Sequence, residues 1–136
     1  MRIGIYNHQH MVGTCPVCRH TYVTGMMQDA AKCQSRAEGI YGTDCEFINY
    51  TDLGDYPPEH LDRPGFKRMM DDIVNERIDV IVCYTLGKIT NDLDLLFEFY
   101  QTLKDHHIEL ITVTDGKRVM EVLDKALAKR AAEQNA

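Results

Sequence analysis

The chain has 136 residues, of which 44% are hydrophobic and 26% are charged. This length suits one domain with its own core, and the composition is ordinary for a globular protein. The formal net charge of −6 argues against broad, non-specific DNA binding, because phosphate contacts need clustered Lys and Arg. There is no apolar run of transmembrane length and no signal peptide, so we expect a cytoplasmic protein without a membrane partner.

The first twenty residues combine a strand with a loop of chemically reactive side chains. Residues 2–7 have the apolar pattern of a short buried strand. The loop that follows contains His8, His10, Cys15, Cys18 and His20. Ligands of α/β proteins usually bind beyond the carboxyl ends of strands, so a functional site is expected here.

Strand and helix patterns alternate along the rest of the chain. Further strands are predicted at residues 45–50, 78–84 and 108–113. Four helices are predicted. The first covers residues 25–38 and ends at Gly39, and the second begins after the cap residue Asp62, with Pro64 in its first turn. The third begins after Asn91 or Thr90 as its cap, and the fourth covers residues 117–134. This order predicts a three-layer α/β sandwich with a mostly parallel sheet of four or more strands. We expect a single domain over residues 1–136 and no separate DNA-binding domain.

Four segments resemble the catalytic domain of the serine recombinases, the resolvase/invertase family. They read Arg-Ile-Gly-Ile-Tyr at residues 2–6, Tyr-Thr-Asp-Leu-Gly at 50–54, Asp-Arg-Pro-Gly-Phe-Lys-Arg-Met-Met-Asp-Asp-Ile at 62–73 and Ile-Asp-Val-Ile-Val-Cys-Tyr-Thr-Leu at 78–86. Their order and spacing fit the family over roughly residues 2–116. The resemblance implies a resolvase-like fold and a role in DNA recombination, as in proteins of mobile elements.

The resemblance also implies a chemistry, which this sequence supports only in part. In the family, a serine after the first strand attacks a DNA phosphodiester, and arginines stabilise the transition state. The family-site positions correspond to Tyr6, His8, His10, Asp52, Arg63, Lys88 and Asn91. Tyr6, Asp52 and Arg63 match the family. His10 occupies the nucleophile position, and arginine is replaced at the other three.

These departures predict a pseudoenzyme with no competent catalytic residue. Ser35 is the single serine of the chain and falls inside the first predicted helix. Residual DNA strand transfer is an alternative, because a histidine such as His10 can form a phosphoramidate. Lys88 keeps a positive charge but lacks the bidentate fork of an arginine.

The loop offers a second chemical interpretation, a zinc site. The Cys15-x2-Cys18 turn can present two thiolates to one ion, and His10 and His20 could complete the ligands, with His8 or Cys33 as substitutes. A metal-dependent hydrolase using His8, His10, Cys15 and Cys18 is therefore an alternative. The simpler alternative is a loop whose Cys and His residues bind no metal and have no shared function.

An inactive recombinase-like domain would act through protein contacts. We expect a homodimer or association with another recombinase, with only weak DNA binding by this domain alone. The last predicted helix carries an apolar stripe at Val119, Met120, Leu123 and Leu127. That stripe could form an interface or could pack on the domain's own sheet.

Overall fold

The computed structural model describes residues 1–9, 13–14, 17, 21–22, 26–53, 61–90 and 92–134. Within these residues the chain forms six strands, four α-helices and one 3₁₀ turn. The order is β1 (Arg2–Gln9), β2 (Gly13–Thr14), β3 (Thr21–Tyr22), α1 (Met26–Tyr41), β4 (Glu46–Leu53), α2 (Pro64–Val74), β5 (Val80–Cys83), the 3₁₀ turn (Leu86–Lys88), α3 (Leu93–Asp105), β6 (Glu109–Thr112) and α4 (Arg118–Gln134).

Four strands form one all-parallel sheet in the order β4-β1-β5-β6. All four residues of β5 are buried, as expected of an interior strand covered by helices on both faces. β2 and β3 pair separately as a short antiparallel ladder. The predicted α/β class and parallel sheet are confirmed.

Helices cover both faces of the sheet, so the predicted three layers are confirmed. On one face, Cys33 and Ala37 of α1 lie in a cluster with Ile3, Ile5 and Val80. On the other face, residues of α2, α3 and α4 join a larger cluster with side chains of the sheet: Tyr6, Tyr50, Phe66, Met69, Ile81, Leu103, Leu110 and Leu123. The alternating side chains of each strand therefore divide the core into two parts.

The apolar stripe of α4 packs on the domain's own core. Val119 and Leu123 are buried, and Met120 and Leu127 are partly buried against the same cluster. Of the two predicted roles for this stripe, internal packing is the one observed.

In the described part of the chain, the helices are too short or too polar to cross a membrane.

Two predicted helix boundaries were wrong for local reasons. α1 continues through Gly39 to Tyr41, and Gly42 follows it with a φ of 92°. This left-handed conformation favours glycine and makes Gly42 the stop. α3 is capped by Asp92, whose carboxylate accepts a hydrogen bond from the backbone N–H of Leu95 at 3.1 Å. Thr90 is not the cap, and Asn91 lies outside the described residues.

β4 is three residues longer at its carboxyl end than the predicted strand at residues 45–50. It pairs with β1 along its whole length, from Arg2↔Glu46 to Gln9↔Leu53. This extension places Asp52 opposite His8, at the edge of the sheet where the strands end.

Candidate functional site at the carboxyl edge of the sheet

Three side chains that the resemblance assigns to the family's site are joined by buried hydrogen bonds. The Tyr6 hydroxyl donates to Oδ2 of Asp52 at 2.8 Å. Nη1 of Arg63 donates to the Tyr6 hydroxyl oxygen at 2.9 Å. All three residues are buried, so the acidic and basic groups compensate each other through the phenol.

Asp52 also caps α2 from outside the helix. Its Oδ1 accepts from the backbone N–H of Gly65 at 2.7 Å, and its Oδ2 accepts from that of Phe66 at 2.9 Å. The predicted cap at Asp62 is therefore wrong: the N-cap residue is Arg63, which makes no side-chain cap, and the Asp62 carboxylate pairs with Lys67. A carboxylate from the neighbouring strand accepts hydrogen bonds from the free N–H groups, and its negative charge interacts favourably with the positive end of the helix dipole.

This cap requires a glycine at the second position of the helix. A Cβ atom on Gly65 would lie 2.7 Å from the carbonyl oxygen of Thr51 and 3.0 Å from either carboxylate oxygen of Asp52. Any larger side chain would separate α2 from β4. Gly65 is thus the residue that lets the strand and the helix approach closely.

Arg63 connects the 3₁₀ turn to the start of α2 through side-chain hydrogen bonds. Its side chain is among the largest fully buried ones, with 2% of the residue exposed. Nη1 donates to the carbonyl oxygen of Lys88 at 3.2 Å, and Nη2 donates to that of Ile89. Its Nε atom is buried without a hydrogen-bond partner among the described residues. The guanidinium is therefore enclosed by protein.

Burial sets the protonation state of the phenol in this chain. It raises the pKa of Tyr6 well above its ordinary value, and the neighbouring Arg63 lowers it only in part. The phenol therefore stays protonated at neutral pH and can donate to Asp52.

Lys88 lies between two other elements at the same edge. Its Nζ donates to the carbonyl oxygen of His8 at 3.2 Å and lies 3.9 Å from Oδ2 of Asp29 on α1. Its ammonium group therefore has a carboxylate nearby. Nothing in the sequence signals this approach of Asp29, because α1 and the 3₁₀ turn are distant in the chain.

The structure thus brings together five of the predicted site residues, and the other predicted site residues are not among those that it describes. Tyr6, His8, Asp52, Arg63 and Lys88 lie at one edge of the sheet. The predictions for His10, Asn91, Cys15, Cys18 and His20 fall outside the described residues. Among the residues that the structure describes, no group of three or more His, Cys, Asp or Glu could hold a metal ion. Zinc binding stays a prediction.

Ser35 lies on the other side of the sheet from Tyr6, Asp52 and Arg63. It belongs to α1, which packs on the face of the sheet opposite to Tyr6 and α2. Its side chain is exposed beside Arg36 and Val113. The single serine of the protein therefore does not belong to the hydrogen-bonded group formed by Tyr6, Asp52 and Arg63.

Comparison with known proteins identifies the family. The family described as "Resolvase, N terminal domain" matches residues 27–134. The match begins after β1 and the loop of histidines and cysteines, so Tyr6, His8 and His10 are not part of it. No curated protein matches the chain.

Solved structures of serine recombinases share the fold. The N-terminal catalytic domain of TP901-1 integrase superposes with a TM-score of 0.70 at 15% identity, over 100% of both chains. A resolvase family site-specific recombinase from Streptococcus pneumoniae gives a TM-score of 0.58 at 21% identity, over 97% of this chain and 89% of the other. The C-terminal catalytic domain of ISC1926 TnpA, an IS607-like serine recombinase, gives 0.62 at 10% identity, over 98% and 84%. At these identities the likeness concerns the fold alone. Because the family match spans well over half of the chain, the chain belongs to the resolvase N-terminal domain family.

Proposed function

We propose that this chain is a catalytically inactive serine recombinase-like domain that takes part in DNA recombination through protein contacts. The observation that carries the proposal is the burial of Arg63, the matched arginine, whose terminal nitrogens contact Tyr6 and two backbone carbonyls. A guanidinium held in this way stabilises the fold and does not face a phosphate.

The surroundings of Lys88 support the same conclusion. Phosphoryl transfer needs cations aimed at the oxygens where negative charge develops. The ammonium of Lys88 instead donates to the backbone of His8 and has Asp29 nearby. A neighbouring carboxylate weakens the field that a phosphate would experience.

The nucleophile is a separate argument for inactivity. The resemblance gives a serine at the position of His10, and Ser35 is on the opposite face of the sheet. Without a serine hydroxyl at this edge of the sheet, the family's phosphoserine intermediate cannot form there.

The direct test is a search for a covalent protein–DNA adduct. The full chain is incubated with a nicked-duplex pool of random sequence, denatured and analysed by gel electrophoresis, with an active serine recombinase on its own site as the positive control. We expect no adduct. An acid-labile adduct that disappears in His10→Ala would overturn the proposal and establish residual strand transfer through a phosphoramidate.

The protein-contact part of the proposal is tested by oligomeric state. We expect sedimentation velocity to give a concentration-dependent monomer–dimer equilibrium, or a complex when an active recombinase catalytic domain is added. A strictly monomeric chain that binds no such domain at micromolar concentration would contradict this part.

A zinc site is a second candidate function, supported by one observation near the loop. Gly13 pairs with Tyr22 and Thr14 with Thr21, so the residues on either side of residues 15–20 lie opposite each other. The test is metal content of the untagged protein by mass spectrometry, compared with a Cys15→Ser, Cys18→Ser variant. Stoichiometric zinc that the variant lacks would support a metal site formed with His10 and His20, whereas metal-free native protein would exclude it.

A further inference from the structure

The outer face of α1 carries a cleft with two cations that the recombinase-like site does not use. The cleft has a volume of about 560 Å³. Its lining includes Lys32, Ser35, Arg36 and Gly39 of α1 together with Val113, which follows β6. It lies on the face of the sheet opposite to the Tyr6–Asp52–Arg63 chain.

Neither cation has an acidic side chain as an ion-pair partner in the part of the chain that the structure describes. Among the residues that the structure describes, no carboxylate lies within ion-pairing distance of Lys32 or Arg36, although acidic residues outnumber basic ones by 21 to 15. The two residues are four positions apart in α1, so their side chains project from the same face of the helix.

Lys32 and Arg36 are exposed, and each has a neighbour that restricts its side chain. Nζ of Lys32 lies 5.5 Å from the centroid of the Tyr84 ring. The guanidinium of Arg36 lies against Gly116, where a Cβ atom would be 3.2 Å from Nη2 and 3.4 Å from Cζ. Gly116 has a φ of 59°, which disfavours a side chain there, so the space for Arg36 is secured by the turn itself. Groups that are already positioned lose less conformational entropy on binding.

The rest of the lining leaves room for a small anion. A Cβ atom on Gly39 would meet nothing within 4 Å beyond its own chain neighbours and helix backbone, and Ser35 adds an exposed hydroxyl to the same lining. A guanidinium donates two parallel hydrogen bonds to phosphate oxygens, and an ammonium adds a point charge. The cleft volume falls within the roughly 300–1,000 Å³ that is usual for small-molecule sites.

We propose that this cleft binds the phosphate group of a small phosphorylated molecule through Arg36 and Lys32. A small ligand fits better than nucleic acid because the net charge of −6 repels a polyanion at long range, whereas a short-range contact is less affected. The cleft is thus a ligand site separate from the candidate site that contains Tyr6, Asp52 and Arg63.

The test uses pyrophosphate as the probe in a two-dimensional NMR titration of the full chain at constant ionic strength. We expect saturable shifts at the Arg36 Nε–H signal, along residues 31–40 and at Val113. Arg36→Gln and Lys32→Gln should each weaken binding roughly tenfold, because each removes one charge-assisted contact. The matched control is Lys125→Gln, an exposed lysine of α4, which should leave binding unchanged.

Three outcomes would overturn the proposal. These are the absence of saturable shifts up to millimolar pyrophosphate, equal affinity in Arg36→Gln, and a response at these residues to a short DNA duplex but not to pyrophosphate. Circular dichroism and the dispersion of the other NMR signals establish that each variant is folded, so a loss of binding reports on the cleft.

Discussion

At the residue scale, the side chains that match the family also stabilise this domain. Tyr6, Asp52 and Arg63 join β1, β4, α2 and the 3₁₀ turn in one buried hydrogen-bonded chain. A buried charge is costly without compensation, so each member depends on the others. This dependence gives the three residues a structural role that does not require any chemistry.

Removing the acidic member should therefore destabilise the domain strongly. Asp52→Asn leaves the Arg63 guanidinium without a buried negative charge and weakens the cap of α2. We expect a loss of about 3 kcal/mol in the free energy of unfolding, measured by urea denaturation. Asp71→Asn is the matched control, because Asp71 is exposed on the same helix and should change stability by less than about 0.5 kcal/mol. A loss of similar size in both variants would contradict a specific role for Asp52.

Thiol reactivity should separate the described cysteines by burial. Burial raises the pKa of Cys33 to about 12, with Asp29 contributing, and burial also raises the pKa of Cys83 above its ordinary value. Their reactive thiolate forms are therefore rare at pH 8. Cys45, which is only half-buried, should be alkylated first, as peptide mass spectrometry after a short iodoacetamide pulse would reveal. Labelling of Cys33 or Cys83 at the rate of Cys45 in folded protein would refute the burial argument.

At the element scale, the sequence was informative about which elements form and in what order, and less so about where the helices begin and end. Apolar periodicity predicted the four parallel strands and four helices in the correct order. The start of α2 was different, because its cap comes from Asp52 on the neighbouring strand and not from Asp62 beside it. No local rule could reveal that cap, since it depends on how α2 packs against β4. The single signal in the sequence is Gly65, where the helix must approach the strand.

Two glycine-to-alanine substitutions in helices should therefore act in opposite directions. Gly65→Ala places a Cβ atom 2.7 Å from a backbone oxygen and should cost about 3 kcal/mol, since β4 and α2 must separate. Gly39→Ala meets no atom within 4 Å and should gain about 0.5–1 kcal/mol, because alanine favours the helix. Thermal unfolding of both variants measures the contrast. Destabilisation by Gly39→Ala would imply that the exposed face of α1 has a contact outside the described residues.

At the scale of the whole molecule, the fold follows the family while the residues at the assigned site positions differ from it. The sheet and its helices superpose on the N-terminal catalytic domain of TP901-1 integrase with a TM-score of 0.70. The positions that the resemblance assigns to the nucleophile and three arginines are His10, His8, Lys88 and Asn91. These positions were assigned from the resemblance, and their roles stay a prediction. The resemblance could not foresee that Arg63 is enclosed or that Asp29 approaches Lys88, because both follow from contacts between distant elements.

If the scaffold still presents its edge as the family does, activity should return only when several groups are restored together. A transition-state donor contributes about 10²–10³ in rate, so His10→Ser alone should give no detectable covalent adduct with nicked DNA. Combining His10→Ser with arginine at His8, Lys88 and Asn91 should produce a phosphoserine-linked adduct. The same arginine variant with His10→Ala is the control, and it should give none.

Either failure of this pattern would be decisive about the scaffold. An adduct from His10→Ser alone would mean that His8, Lys88 and Asn91 already stabilise the transition state, so the loss of chemistry would rest on one residue. No adduct from the combined variant, with its fold confirmed by circular dichroism, would mean that the edge no longer positions these groups around a phosphate. In that case the ties from Arg63 to residues 88 and 89 are the first geometry to vary, because they fix the turn that carries Lys88.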